Sequence, residues 1–195
     1  MNHMLRPPFH RFLPIASIAS LCVLASCGGV NADPVNMCGK PSLEDRAEIL
    51  DLIARYGPYI DYREAKPWAS LFTEDGELNY PKFGDTTGAR EVVKGRDALV
   101  AFASQSSAPN LVFAHYPGQT ILVSVRTDQV KALTPVATAM VKTNAQLAAN
   151  YNGLGVYEDV IVKTANGWRF RSRSANIYAA LPMSRDFLPC NPATM

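Results

Sequence analysis

The feature that most constrains the fold of this chain is a change of hydrophobic period near its middle. From Leu43 to about Tyr62, apolar residues recur at helical spacing, and shorter helices are predicted from Pro67 and from Gly95 to about Ser104. After that the period becomes two, and the strand candidates are residues 111–116, 120–126, 131–143, 154–164 and 168–178. Helices followed by antiparallel strands predict an α+β domain, with N-terminal helices packed on a curved antiparallel sheet.

The connections between these elements are also predicted from the sequence. Asn166-Gly167, between the last two strand candidates, is a strong hairpin signal. Residues 73–76 predict a turn that leads into a short strand over residues 77–80. Residues 81–94 are polar and contain glycine, and we predict a loop there that lies over the mouth of a cavity.

The first 26 residues have the pattern of a bacterial lipoprotein signal peptide. A basic start precedes an apolar run over residues 12–25, which is too short to span a bilayer comfortably, and Leu24-Ala25-Ser26-Cys27 has the form of a lipobox. We therefore expect an exported protein that is lipid-anchored to a bacterial membrane through Cys27, at the periplasmic face of the outer membrane in a Gram-negative host. An ordinary secretory signal is the alternative. Residues 27–41 are interpreted as a linker and residues 42–195 as one domain.

Removal of residues 1–26 changes what the composition implies. The whole chain has a formal net charge of +2, but the remainder has 17 Lys plus Arg and 17 Asp plus Glu, so no nucleic acid partner is predicted. His115 is then the only histidine. Cys38 and Cys190 remain as a pair that we expect to form a disulfide in an oxidising compartment, with two free thiols as the alternative. One histidine and one pair of cysteines are too few ligands for a structural zinc site. The sequence also has no phosphate-binding glycine loop, so no metal or cofactor is predicted.

Four segments carry a resemblance to a known family. They are LEDRAEILDLIARYGPYIDYREAKPWASLFTEDGELNY (43–80), KGRDALVAF (94–102), LVFAHY (111–116) and VKTANGWRFRSRS (162–174). In this order they resemble SnoaL-like domains of the nuclear-transport-factor-2-like superfamily. The resemblance implies a cone-shaped α+β barrel with a deep, mostly apolar pocket. It does not fix a reaction, because the superfamily includes dehydratases, isomerases, cyclases, hydrolases and noncatalytic members.

The scytalone dehydratase-like branch of this superfamily implies particular site residues. That branch pairs a pocket aspartate with a histidine and adds tyrosines that hold a water or the substrate carbonyl. By position Asp61 corresponds to the aspartate, His115 to the histidine and Tyr80 to a tyrosine, and these three are the candidate catalytic residues. Tyr59, Tyr157 and Trp68 are the candidate substrate-binding residues, although a structural role is the alternative for each aromatic residue.

The chain departs from the pattern of that branch at several places. Where that branch has a tyrosine directly before the aspartate, this chain has Ile60. The position of the branch's second pocket histidine falls in the apolar stretch around Val136. The Ser-x-Asn of the penultimate strand becomes Gly155 and Tyr157. Three residues are also inserted between Asp61 and Trp68 relative to the common spacing.

Two classes of function stay open at this point. An aspartate bonded to an imidazole fixes its tautomer and strengthens its distal nitrogen as a base, and Tyr80 and Tyr157 could polarise a carbonyl. This predicts proton transfer, as dehydration or isomerisation, on a small hydrophobic carbonyl compound. The alternative is a noncatalytic lipoprotein that binds a small ligand or a partner. A homodimer through the sheet is a further expectation from the resemblance.

The side chains of the last strand candidate and of two tyrosines also have predicted positions. Arg169, Arg171 and Arg173 occupy alternate positions of the last strand candidate, which predicts that all three share its outward face, in solvent or at a dimer sheet. Tyr56 and Tyr62 are predicted to be core aromatics.

Overall fold

The computed structural model describes residues 39–82, 88–105, 111–142 and 150–177. Among these residues three helices precede or interrupt seven strands. They are α1 (Leu43–Asp61), α2 (Ala65–Ser70), β1 (Phe72–Pro81), β2 (Arg90–Lys94), α3 (Arg96–Gln105), β3 (Leu111–Pro117), β4 (Ile121–Arg126), β5 (Gln129–Lys142), β6 (Asn150–Thr164) and β7 (Gly167–Ile177). The helices pack on a curved sheet that does not close, so the predicted α+β class is confirmed.

The sheet has the strand order β2-β1-β7-β6-β5-β3, and β4 also pairs with β5. Strands β3 and β4 lie along successive parts of β5, at residues 136–142 and 129–133. Strands β6 and β7 form the predicted hairpin, in which Thr164 pairs with Gly167. The sheet is not antiparallel throughout as predicted, because β1 pairs with β7 in parallel. A period of two identifies a strand but does not fix the direction of its neighbour.

Two connecting segments differ from prediction. The predicted loop over residues 81–94 contains strand β2, which pairs with β1. The predicted turn over residues 73–76 lies inside β1, where the register against β7 shifts between Phe72 and Glu77. A Cβ at Gly76 would lie 2.9 Å from the Cβ of Phe72 and 3.1 Å from the carbonyl oxygen of Phe170. Gly76 therefore allows close packing at an irregularity of β1, and the chain does not reverse there.

Helix α1 begins at a side-chain cap and buries one stripe against the sheet. The hydroxyl of Ser42 accepts a hydrogen bond from the backbone N–H of Asp45. The residues of the buried stripe are Ile49, Leu52, Ile53, Tyr56 and Gly57. Tyr56 is a core aromatic as predicted, whereas Tyr62 is 80% exposed and that prediction is wrong. Tyr62 follows the last helical residue, so the helical stripe does not carry it inward.

The core lies between the helices and the inner face of the sheet. Alternate residues of the long strands point inward, among them Ala132, Thr134 and Val136 on β5, and Tyr157, Asp159 and Ile161 on β6. The inner face is therefore mostly apolar but carries one fully buried aspartate.

Several sequence predictions lie outside the described residues. They concern the signal peptide over residues 1–26, lipidation of Cys27 and the disulfide between Cys38 and Cys190. These stay predictions. Within the described ranges, no helix combines the length and apolarity needed to cross a membrane.

Candidate functional site

The Asp61 carboxylate contacts both the backbone and the side chain of His115. One carboxylate oxygen accepts a hydrogen bond of 2.8 Å from the backbone N–H of His115, and the other lies 2.5 Å from its Nδ1. The two side chains are only 17% and 15% exposed, for His115 and Asp61 respectively. Because an ionised carboxylate only accepts hydrogen bonds, Nδ1 donates the proton. In a neutral imidazole this leaves Nε2, on the far side of the ring, without a proton.

A glycine in α1 allows this contact to form. A Cβ at Gly57 would lie 3.1 Å from the Cβ of His115 and 3.2 Å from its carbonyl oxygen. Gly57 therefore permits an unusually close approach between α1 and β3. Asp61 follows four residues later, on nearly the same side of the helix, and so faces the same strand.

Tyr56 joins this pair to a second polar group in the interior. Its ring meets the rings of His115 and Tyr157 edge-on, at centroid distances of 6.2 and 5.6 Å. The guanidinium carbon of Arg173 lies 4.0 Å from the centroid of the same ring. Burial raises the pKa of Tyr56 to about 12 and raises that of Tyr157 well above its ordinary value. Both phenols therefore keep their protons, and a protonated phenol is able to donate a hydrogen bond.

The second polar group is a buried ion pair between Arg173 and Asp159. Arg173 donates through Nε and Nη2 to the two carboxylate oxygens, at 2.8 and 2.7 Å. Both side chains are completely buried. Burial raises the pKa of Asp159, and the charge and hydrogen bonds of Arg173 oppose that rise. The aromatic faces of Tyr157 and Phe170 lie 4.3 and 4.2 Å from the guanidinium carbon, which adds cation–π contacts.

The inward position of Arg173 corrects the prediction of three outward arginines. Val160 pairs with Ser172, but Ile161 pairs with Phe170, so Arg171 is an extra residue on β7. Such a bulge reverses the alternation, so Arg171 is exposed while Arg173 points inward. Sequence reasoning missed this residue. The available signal was Asp159, an acid at an inward position of a strand, which needs a buried cationic partner.

Two buried donors of this interior lack a partner among the described residues. They are Nη1 of Arg173 and the indole Nε1 of Trp68. The Trp68 ring centroid lies 5.4 Å from that of Tyr56, which Arg173 also contacts. A buried donor without an acceptor costs about 1–3 kcal/mol, and more when it is charged.

The other predicted site residues lie around this cluster in different ways. Tyr80 donates a hydrogen bond of 2.5 Å to Glu91, and its ring packs on Phe102. Burial and the neighbouring Glu91 raise the pKa of Tyr80 to about 12. Trp68 is fully buried in the core. Tyr59 lies about 200° around α1 from Asp61 and lines a separate cleft of about 380 Å³.

The described residues include no cluster of three or more His, Cys, Asp or Glu side chains that could hold a metal ion. The polar groups of this interior include an imidazole, two phenols, one indole N–H and the charged groups Asp61, Asp159 and Arg173.

Comparisons with known proteins agree with this architecture. An NTF2-like protein with a cystatin-like fold from Novosphingobium aromaticivorans is 27% identical, with a TM-score of 0.61 over 75% of this chain and 90% of that one. A protein from the same organism named as a scytalone dehydratase is 20% identical, with a TM-score of 0.59 over 69% of this chain and 85% of that one, which shows a shared fold. An uncharacterized protein of Mycobacterium tuberculosis, Rv2910c, is 29% identical over 71% of this chain and 88% of its own length.

The family itself is shown by a match that spans most of the described fold. Residues 41–174 match the SnoaL-like domain, from the capped start of α1 to the inward arginine of β7. This range includes both Asp61 and His115. The chain belongs to the family of SnoaL-like domains.

Proposed function

We propose that this protein catalyses proton transfer, as dehydration or isomerisation, on a small hydrophobic carbonyl compound. His115 is the acid and base, and Asp61 is the residue that orients it. The observation that carries the proposal is the two-point contact between the Asp61 carboxylate and the backbone and ring of His115. A purely structural carboxylate could bind the backbone N–H alone, whereas this one also fixes which ring nitrogen bears the proton.

The proposed reaction begins with loss of a proton from the carbon next to the carbonyl. The C–H bond breaks, Nε2 of His115 takes the proton, and the electron pair moves onto the carbonyl oxygen to form an enolate. In a dehydration the enolate then expels a β-hydroxyl group, which leaves as water with the proton from the imidazolium. In an isomerisation the imidazolium returns the proton to a different carbon.

A neutral phenol stabilises the developing enolate by donating a hydrogen bond to its oxygen. Tyr157 is the better placed of the two predicted tyrosines, because it belongs to the Tyr56 cluster that also contacts His115. Tyr80 would have to release Glu91 before it could donate to a substrate. We therefore assign Tyr80 to the edge of the proposed pocket, and not as the main hydrogen-bond donor to the substrate oxygen.

The decisive experiment compares His115→Ala and Asp61→Asn with the unchanged protein, on a panel of small aromatic and terpenoid carbonyl compounds. We expect each substitution to lower kcat/KM by about 100-fold or more, because general acid–base catalysis contributes about that much. An Asn at position 61 would donate to Nδ1 and so place the proton on Nε2, which removes the base while keeping the shape.

Asp51→Asn is the matched control, since Asp51 lies on the same helix but its pair with Arg55 is exposed. The control should keep full turnover. If His115→Ala and Asp61→Asn turn over an identified substrate at the unchanged rate, the catalytic proposal is wrong. The same domain would then be a noncatalytic binding protein.

We also propose that the protein acts outside the cytoplasm, held at a bacterial membrane by lipid on Cys27. The support is the lipobox at residues 24–27 and the apolar run before it. Lipid anchoring would hold the domain near a membrane, where small hydrophobic substrates concentrate.

Association of two copies through the outer face of the sheet is a further part of the proposal. Tyr116 and Leu154 are 60% and 58% exposed and lie on strands that both pair with Ala137 of β5. They line an apolar cleft of about 300 Å³ together with Pro135. Exposed apolar patches of this kind favour association. A monomeric mass in analytical ultracentrifugation at high protein concentration would contradict it.

A further inference from the structure

We propose that Arg173 and Trp68 form an oxygen-binding site in the interior, which receives the carbonyl oxygen of a neutral substrate. This inference rests on the proposed function and names the class of compound that the site accepts. Its basis is the pair of buried donors described above, the guanidinium Nη1 and the indole Nε1, neither of which has a hydrogen-bond partner among the described residues.

The geometry of Arg173 leaves one nitrogen for a ligand. Nε and Nη2 are engaged by the two oxygens of Asp159, so the guanidinium plane is fixed. Its charge is enclosed by aromatic rings, with Tyr56, Tyr157 and Phe170 at 4.0, 4.3 and 4.2 Å from the guanidinium carbon. A structural ion pair needs only the contacts to Asp159. Nη1 is the part of this buried cation that the ion pair does not use.

The position of Tyr56 connects this site to the proposed acid–base pair. The centroid of its ring lies 4.0 Å from the guanidinium carbon of Arg173. It lies 5.4 and 6.2 Å from the ring centroids of Trp68 and His115. In the proposed complex the substrate lies along Tyr56, with its oxygen at the two donors and an adjacent carbon at the imidazole. Fixed donors at a site of developing negative charge stabilise the transition state more than the neutral carbonyl.

The charges of the cluster select against anionic compounds. Asp61 and Asp159 are negative and Arg173 is positive, so with a neutral imidazole the cluster carries one excess negative charge. A carboxylate would add a second one in a site with little solvent. A neutral ketone or aldehyde avoids this cost, and its enolate forms only when His115 becomes positive.

The test is a binding experiment that does not depend on turnover. Acetophenone, ethylbenzene and benzoate have the same ring but a neutral carbonyl, no oxygen and a carboxylate, respectively. Calorimetric titration of the unchanged protein should show acetophenone binding about tenfold or more tighter than ethylbenzene, because a hydrogen bond to a charged donor is worth at least that ratio. Benzoate should bind more weakly than acetophenone. The infrared carbonyl stretch of bound acetophenone should fall relative to its value in a nonpolar solvent.

Variants separate this site from a purely structural ion pair. Asp159→Val with Arg173→Met removes both charges together, so that neither is left buried alone. This double variant should lose the preference for acetophenone over ethylbenzene. Trp68→Phe removes the indole N–H but keeps an aromatic ring, and it should reduce the preference even if the double variant does not fold. Asp51→Asn, on the exposed side of α1, should keep the preference. Because the preference is measured without turnover, failure of the acid–base proposal would leave this result intact.

Two results would overturn the inference. One is an equal affinity of the unchanged protein for acetophenone and ethylbenzene, which would indicate that Nη1 and Nε1 meet only water. The other is retention of the ketone preference and of the lowered carbonyl stretch in a folded double variant.

Discussion

Asp159 and Arg173 are stable in the interior only as a pair. Each side chain has no exposure to solvent, and the pair satisfies both carboxylate oxygens and two of the three guanidinium nitrogens. A buried pair of this kind adds little net stability compared with apolar residues, because removing two charges from water is costly. Loss of one partner strongly destabilises the fold, because the remaining charge has neither water nor a counter-ion.

This argument predicts the result of a double-mutant cycle at the pair. Asp159→Asn should lower the free energy of unfolding by about 3–5 kcal/mol, because it leaves the cation of Arg173 buried without a counter-charge. The double variant Asp159→Val with Arg173→Met should lose less than the single variant. Urea denaturation followed by circular dichroism measures both. Equal losses in the single and double variants would show that the two charges are not coupled.

Among single residues, the sequence analysis paired Asp61 with His115, and the two are in contact, while their catalytic role stays a prediction. Asp61 and His115 could be named because each is an isolated polar residue at a position that the family resemblance marks. Arg173 was placed on the wrong face, because a bulge at Arg171 reverses the alternation and no local pattern announces it. Glu91 as the partner of Tyr80 was also out of reach, since it lies on a strand that was predicted as loop.

Gly57 sets the distance between helix α1 and strand β3. Gly57→Ala would place a Cβ only 3.1 Å from the Cβ of His115. Either the helix or the strand must therefore move. We expect kcat/KM to fall at least tenfold, because small displacements of catalytic groups are costly to rate. We expect little loss in melting temperature, because alanine favours the helix by about 0.8–1.0 kcal/mol over glycine.

Gly118→Ala is the matched control for this substitution. A Cβ at Gly118 would lie 3.5 Å from Pro135, which is an ordinary packing distance. The control should keep its activity. Unchanged activity of Gly57→Ala, with His115 shown by other variants to be required, would contradict the proposed role of the close approach.

Asp45 ties the start of α1 to the hairpin of β6 and β7. One of its oxygens accepts from Lys163 Nζ at 2.7 Å and from the indole N–H of Trp168 at 2.9 Å. The hydrogen bond from Lys163, then those from Trp168 and Ser42, lower the pKa of Asp45 from 3.8 to about 2. The folded state therefore favours the ionised form more than the unfolded state does.

The sign of this shift predicts how the contact depends on pH. The stabilisation is fully present above the unfolded value of 3.8 and is lost as the pH falls towards about 2. The unchanged protein should therefore exceed Asp45→Asn in unfolding free energy at pH 6, and the difference should shrink between pH 4 and pH 2. Urea titrations at several pH values measure it, with Asp51→Asn as the exposed control on the same helix. A difference that grows on acidification would contradict the assignment.

The long elements were predictable because each has a regular apolar period and a clear boundary. Helix α1 begins at Leu43 as predicted and ends one residue early, and the β6–β7 hairpin forms where Asn166-Gly167 indicates it. Strand β2 was missed because it is short and mostly half-buried or exposed, so it carries no apolar alternation. Its identity depends on pairing with β1, which is a tertiary property.

The order of helices and strands along the chain was enough to predict a curved sheet around α1. The parallel pairing of β1 with β7 was not, because it joins segments that are distant in the chain and have no connecting turn to specify direction. The pairing also has a consequence for the site. It places Leu78 of β1 beside Arg173, so an apolar residue from the first strand covers one flank of the buried cation.

The location of the protein is predicted from residues 1–27. If Cys27 is lipidated, the protein expressed in a bacterium should sediment with membranes and incorporate radiolabelled palmitate. Cys27→Ser should abolish the label and move the protein out of the membrane fraction, because no other anchor is predicted and stable attachment needs more than one acyl chain. Cys38→Ser is the matched control, which should keep both label and membrane association, since Cys38 is predicted to form a disulfide instead. Palmitate incorporation into Cys27→Ser, or an unlabelled and soluble unchanged protein, would show that the leader is an ordinary secretory signal or none at all.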